Sequence, residues 1–245
     1  MKRTARLALF GTGLVMLAAA CGGRPAQAVQ PTETPYAPVI DPGNFVTGID
    51  NPFFPLQPGT TFVYEGQTEK GNERNEVAVT HETRVILGVT CVVVEDTVTV
   101  DGNVVEVTLD WYAQDRDGNV WYFGEDSKEY ENGVVVSTAG SWEAGVDGAQ
   151  PGIIMEANPL VGDTYRQEYY AGEAEDWARV LSLGEAATVP SGSYTDLLMT
   201  QEWSALDSPR VIEHKYYARG VGFIFATTVQ GGAGEIGLVE MRHEP

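Results

Sequence analysis

The sequence predicts an all-β protein: a single domain made of a strongly curved antiparallel sheet or open barrel, built from consecutive hairpins. Three observations predict it. Short runs rich in Val, Thr, Tyr and Phe recur along the chain and alternate apolar with polar residues. Tight-turn dipeptides, Asp101-Gly102, Asp117-Gly118 and Asn132-Gly133, separate neighbouring runs. No segment sustains the three-to-four-residue apolar period of a helix.

The first residues are not part of that fold. Lys2, Arg3 and Arg6 precede an apolar run from Leu7 to Ala20, which is shorter than the roughly 20 residues a spanning helix needs. The run ends in small residues directly before Cys21. Leu17-Ala-Ala-Ala-Cys21 resembles the bacterial lipoprotein signal, although Leu17 stands four residues before the Cys and not three. That resemblance implies cleavage after residue 20 and lipid modification of Cys21, with acyl burial worth about 0.8 kcal/mol per CH₂. Residues 21–43 are rich in Pro and poor in large apolar side chains, so they read as a tether. The folded body is expected over 44–245.

Charge narrows the partners. The chain carries a formal net charge of -20, and loss of the signal removes three positive charges and no negative ones. Such a body is unsuited to nucleic acid, whose phosphates demand a basic surface. It is also unsuited to electrostatic docking on anionic headgroups. With Cys21 lipidated, Cys91 is the one thiol left; in the apolar run VTCVVVED it reads as a buried hydrophobe, and no disulfide framework exists.

The elements follow in order. Asn51-Pro-Phe-Phe-Pro-Leu-Gln-Pro-Gly59 is stiffened by Pro and leads into a strand at Thr60; Phe53, Phe54 and Leu56 are expected to plug one end of the core. Asn75 to Val85 alternates with Val77, Val79, His81 and Val85 on one face. Val89–Val100 and Asn103–Tyr112 form a hairpin through Asp101-Gly102. Asp117-Gly118 turns the chain back into Val120–Phe123, and Asn132-Gly133 turns Lys128–Glu131 into Val134–Ser137. Ser141 to Asn158, broken by Gly and Pro, reads as a long ordered loop pinned by Ile153, Ile154 and Met155. Strands return from Thr164 to the closing run Ile236–Arg242.

Two resemblances attach to these residues. The text DWYAQDRDGNVWYFGED and SWEAGVDGAQPG, with NPFFPLQPGTTFVYEG, is similar to a family of exported bacterial lipoproteins for which no activity is implied. Lys215-Tyr-Tyr-Ala-Arg-Gly-Val-Gly222, after Gly192-Ser-Tyr-Thr-Asp196, resembles the closing half of curved-sheet lipoprotein carriers. The first implies an exported, anchored protein; the second implies a sheet curved enough to hold a ligand.

Candidate site residues cluster between Leu109 and Pro151, which holds three of the five Trp. A period of two places Glu106, Thr108, Asp110 and Tyr112 on one face of their strand and Val105, Val107, Leu109 and Trp111 on the other. The polar face is either plain solvent surface or the wall of a groove. As a groove it would comprise Asp110, Tyr112, Trp121, Trp142 and Glu143, with the loop from Trp142 to Pro151 closing over it. Carboxylates would hold hydroxyls or a cation, and the rings would stack on a sugar or an apolar ligand. Catalysis on glycans would require a carboxyl pair across a cleft, drawn from Asp110 with Glu125, Glu143 with Asp147, or Glu168 with Glu175. Asp115 and Asp117 resemble the start of a calcium loop, yet the same residues suit a hairpin turn. No HExxH, CxxC, GxSxG or phosphate-loop spacing exists, so no cofactor is expected. The reading is a membrane-anchored extracytoplasmic binding or interaction module. Its membrane contact is the N-terminal lipid, at the outer face of the plasma membrane or in an outer membrane. Its ligand is a small molecule, glycan or protein. The alternatives are a carrier of an apolar molecule and a carboxylate-pair hydrolase.

Overall fold

A computed structural model describes residues 36–244. The signal, Cys21 and most of the tether lie outside the described residues. Apart from a 3-10 turn at Pro42–Asn44, the regular structure is all strand. In chain order the strands are β1 (Phe45–Val46), β2 (Thr60–Thr68), β3 (Gly71–Ile86), β4 (Val89–Val100), β5 (Asn103–Asp115), β6 (Val120–Glu131), β7 (Val134–Ser137) and β8 (Trp142–Glu143). There follow β9 (Gln150–Met155), β10 (Thr164–Arg166), β11 (Glu168–Tyr169), β12 (Asp176–Val189), β13 (Gly192–Ser204), β14 (Ile212–Ala218), β15 (Gly222–Gln230) and β16 (Gly234–His243).

Local turn chemistry builds the hairpins. Asp101 and Gly102 both hold positive φ, 48° and 81°, so Val100 pairs directly with Asn103 across a two-residue turn. Asn132-Gly133 does the same between β6 and β7. A further turn of this kind, Leu87-Gly88, joins β3 to β4 without the Asn or Asp that announces the others. The Asp117-Gly118 turn is wider and is held by Asp115, whose carboxylate accepts from Asn119 N, Asn119 Nδ2 and Trp121 Nε1, each at 2.9 Å.

All the strands belong to one antiparallel sheet, and it is nearly closed as a barrel. Its main path runs β10-β12-β13-β14-β15-β16-β2-β3-β4-β5-β6-β9-β11, with β1 on β5 and β7 and β8 on β6. The two ends of that path, β10 and β11, are consecutive in the chain. Arg166 pairs with Trp177 of β12, while Glu168 pairs with Pro151 of β9. Residues 164–169 therefore stitch one edge of the sheet to the other. Gly152 makes room for the stitch: a Cβ there would lie 2.3 Å from the carbonyl carbon of Gln167. Tyr36 fastens the seam from outside, donating to Pro151 O at 3.0 Å and meeting Tyr169 edge-on. The Arg166 guanidinium lies over the rings of Tyr169 and Trp177, at 4.5 and 4.4 Å from their centroids.

The interior is divided lengthwise. The end under Phe53, Phe54 and Leu56 is apolar: these side chains are buried, and with Phe62, Tyr64, Val77, Val94, Tyr112 and Phe223 they form the core there. Asn51 locks the plug by donating to Gly118 O and Glu156 O. Two residues further along the same strands, toward the Asp101-Gly102 turn, the inward positions become carboxyls and hydroxyls. Val94 gives way to Asp96, and Tyr112 to Asp110, Thr108 and Glu106, all buried.

Two sequence expectations change. Ser141 to Asn158 is not one loop: β8 and β9 both pair with β6, a turn joins them, and residues 156–158 leave the sheet. Strands of two and six residues interrupted by Gly and Pro carry no alternation long enough to read. On β3, the register shifts between Val79 and Thr83, so the phase reverses. Val77 and Val79 are buried, whereas His81 and Val85 are exposed and Ile86 takes the inward place.

Candidate functional site

The polar face of β5 points into the barrel, and its apolar face points out. Asp110 and Tyr112 are fully buried, while Val105, Val107 and Leu109 are only half-buried. The plain solvent-surface reading of Glu106, Thr108 and Asp110 is thereby corrected. Alternation defines two faces but does not say which one a closing sheet turns inward.

On the neighbouring strand, Asp110 pairs in register with Glu125. Tyr122 Oη lies 2.6 Å from Asp110 Oδ1 and 2.9 Å from Glu125 Oε2. Tyr112 stacks on Tyr122 with centroids 4.8 Å apart, and Trp142 meets Tyr122 edge-on at 5.4 Å. Trp142 Nε1 donates to Glu168 Oε2 at 2.9 Å. Glu168 belongs to β11, so the segment that closes the barrel also delivers a carboxyl to its interior. Asn75 Nδ2 reaches Asp96 Oδ2 at 3.4 Å.

The opposite wall carries the one basic side chain that is buried among the described residues, Lys215. Its Nζ lies 2.8 Å from Glu202 Oε2, and Glu202 Oε1 accepts from Thr200 Oγ1 and Tyr217 Oη at 2.8 and 2.9 Å. Burial works against the Lys215 charge, but Glu202, Glu213 and Asp176 outweigh it and raise its pKa.

The acids are perturbed upward. Burial raises Asp110 to about 7, with Glu106 adding to the effect and the Tyr122 and Tyr112 hydrogen bonds tempering it. Burial, then Glu168 and Asp110, hold Glu125 well above the usual carboxylate range. Glu168 is raised by burial and by Asp176, and Asp96 by burial, Asp110 and Glu106. Glu73 and Asp176 are each pushed to about 7 and Glu213 to about 8, with burial the largest cause in all three. These groups interact across the barrel, as Glu213 does with Glu73.

Hydrogen counting reaches the same state without reference to pKa. A phenol has one proton to donate. Tyr122 cannot donate to both Asp110 and Glu125, so one of the two contacts requires a proton on a carboxyl. With Tyr122 donating in the shorter contact, Glu125 is the acid and gives its proton to the phenol oxygen.

No known protein family and no curated protein matches this chain. Two solved structures are similar in fold. One is provisionally described as an exported protein with a YMCC-like fold, from Bacteroides fragilis. It is 15% identical, the match covers 78% of this chain and 98% of that one, and the TM-score is 0.44. The other is provisionally described as a lipoprotein, from Parabacteroides distasonis. It is 14% identical with the same coverages, and the TM-score is 0.43. Neither likeness is close enough to assign a role to a residue here.

The sequence-derived candidates divide between inside and outside. Asp110, Tyr112, Glu125 and Trp142 converge in the interior. Trp121 and Glu143 do not: Trp121 is on the other face of β6, against Phe45 and donating to Asp115, and Glu143 pairs with Arg84, which covers Trp111. The turn after Trp142 lies against Leu87, with Ala144 and Ala149 buried. Glu143 and Asp147 form no pair in the interior: Glu143 points away from Asp110 toward Arg84, and Asp147 is exposed. Asp115 spends its oxygens on three N–H donors of its own hairpin, and Asp117 is exposed. Glu175 lies near Arg166 at the seam, away from Glu168. Cys91 is buried with its thiol pushed up to about 12, chiefly by desolvation.

Sequence reasoning missed Tyr122, Glu202 and Lys215 and took Glu168 only as half of a pair. A signal was present. Glu213, Lys215 and Tyr217 stand at alternate positions of one strand, as do Glu106, Thr108 and Asp110. Charged residues at period two on several strands mark a polar interior only once the strands are known to close.

Proposed function

We propose that the protein is a lipid-anchored extracytoplasmic binding module whose ligand occupies the acidic half of the barrel. The anchor rests on the sequence: a basic n-region, a short apolar run, Cys21 and a Pro-rich tether. Cleavage before Cys21 would leave a soluble body on the outer face of the plasma membrane, or in the outer membrane of a two-membrane cell.

The observation that carries the binding reading is the set of buried carboxyl oxygens without a hydrogen-bond partner. They include Asp96 Oδ1, Glu125 Oε1, Glu168 Oε1, Glu73 Oε1 and Glu213 Oε1. An unsatisfied buried polar group costs about 1–3 kcal/mol, and more if charged. A sheet that only needed a core would fill these positions with apolar side chains, as the other half of the same barrel does.

Carrying an apolar molecule finds little room at the opposite end. There Phe54, Leu56, Phe62, Tyr64, Tyr112 and Phe223 line a cleft with about 30 Å³ of free volume. That is far below the size of small-ligand pockets, about 300 Å³ at the least.

Chemical access tests the binding reading. Native protein is treated with a water-soluble carbodiimide and methylamine, and modified carboxyls are mapped by peptide mass spectrometry. Glu73, Glu106 and Glu213 should react in folded protein, after the exposed Glu65 and Glu240. Reaction at the exposed pair alone would mean a sealed interior and would defeat the reading. The anchor has its own test: maturation blocked by a signal-peptidase inhibitor specific for lipoproteins, and a mature chain that keeps Cys21.

A further inference from the structure

We infer that the wall formed by β4, β5, β6 and β11 receives a primary ammonium group, so that the ligand class of the barrel is an amine or polyamine. This rests on the binding reading above and names its ligand chemistry.

The chain itself supplies the precedent. On the far wall an ammonium, that of Lys215, sits 2.8 Å from Glu202 among Glu213 and Asp176. The near wall presents four buried acids, Asp96, Asp110, Glu125 and Glu168, of which Glu168 feels the Lys215 charge from across the barrel. Among the described residues no ion pair reaches any of these four within 4.0 Å. Acid density alone would not make a site. The second observation is that Glu125 Oε1, Glu168 Oε1 and Asp96 Oδ1 are enclosed, with residue exposures of 3%, 3% and 4%, yet have no hydrogen-bond partner. An alkylammonium carries three N–H donors, which matches a set of acceptors that lack donors. Its charge also opposes the mutual repulsion of these carboxyls.

Geometry favours an amine over a metal ion. Among the described residues no three carboxyl, imidazole or thiol groups are arranged to hold a metal. Calcium asks for six to eight oxygens around one point. The rings of Tyr112, Tyr122 and Trp142 line the same wall. Aromatic faces attract ammonium groups, and an aliphatic amine stem packs on them. The chain's net charge of -20 concentrates soluble cations around the body.

The test is thermal unfolding of the mature body at pH 8 with 1,4-diaminobutane or spermidine. Equal ionic strength of sodium chloride and equimolar 1,4-butanediol are the controls. The diamine and spermidine should raise the midpoint by several degrees, and neither control should. In Asp110→Asn/Glu125→Gln, and separately in Glu168→Gln, apparent affinity should fall at least tenfold. The exposed Glu240→Gln should leave it unchanged. Circular dichroism confirms that each variant is folded. Both amines should also slow carbodiimide coupling at Glu73 and Glu213. An equal response to butanediol or salt, or an undiminished response in both interior variants, overturns the amine assignment. No response to either amine, with the interior open to carbodiimide, overturns the amine class and leaves the binding site standing. An interior sealed to carbodiimide removes both.

Discussion

Asp110 and Glu125 face each other across the β5–β6 ladder and lean on one phenol hydroxyl, that of Tyr122. A paired carboxylate couple would repel at this distance. One proton held between them turns the repulsion into a hydrogen-bonded chain, and the stability of the barrel then depends on keeping it.

That dependence has a sign. Unfolded carboxyls release their protons near pH 4. In the fold, Asp110, Glu73 and Asp176 release them near 7 and Glu213 near 8. Between those values the native state binds more protons than the unfolded chain, so stability falls as pH rises. Their contribution is complete below about pH 4 and lost by about pH 8. Each tenfold difference in proton affinity is worth about 1.4 kcal/mol. Urea midpoints should be highest near pH 4 and decline to pH 8, and Asp110→Asn should flatten the decline. A midpoint that rises across this interval would contradict the assignment.

Removing the Tyr122 hydroxyl isolates the shared contact. Tyr122→Phe keeps the ring that stacks on Tyr112 and meets Trp142. It strips Asp110 and Glu125 of their common partner, and the expected loss is about 1–3 kcal/mol at pH 7. In the Asp110→Asn background the loss should be smaller, because an amide can donate to Glu125. Denaturant unfolding of the four chains in a double-mutant cycle measures the difference.

Lys215 is the buried counter-charge of the far wall. Lys215→Met leaves Glu202 facing the interior with two hydroxyls and no cation. Breaking a buried pair from one side costs about 3–5 kcal/mol. Adding Glu202→Gln should recover part of it. Failure of the second change to restore any stability would mean that Lys215 acts through packing of its stem alone.

The seam has its own weak point. Gly152→Ala places a methyl group against the backbone of Arg166 and Gln167, so the closing segment must move outward. Overpacking of this kind costs about 1–3 kcal/mol. Amide exchange should accelerate over residues 164–169 before it does in β3 to β5, and the carboxyl of Glu168 should become reactive toward carbodiimide.

The hairpins were legible because two-residue turns are a local matter. Asp101-Gly102 and Asn132-Gly133 take positive φ cheaply, and the strands on either side follow. Leu87-Gly88 was not legible, since a Leu at positive φ is imposed by the hairpin it closes and not preferred by the residue. The bulge after Val79 was equally silent, and it alone decides that His81 and Val85 face solvent. At the site, the period of two grouped Glu106, Thr108, Asp110 and Tyr112 correctly. It misplaced Trp121 and Glu143, because proximity in the chain does not distinguish one side of a strand from the other.

By itself, the sequence determined most of the strands, the Asp-Gly and Asn-Gly turns, and the two faces of β5. It could do so because these depend on neighbours within a few residues. The tertiary structure decided which face is inside. Closure through residues 164–169 turned the polar face of β5 inward, brought Glu168 and Lys215 into one interior with Asp110, and withdrew the water that would have kept their carboxyls ordinary. Desolvation and charge proximity are properties of that enclosure, and both arise from residues distant in the chain.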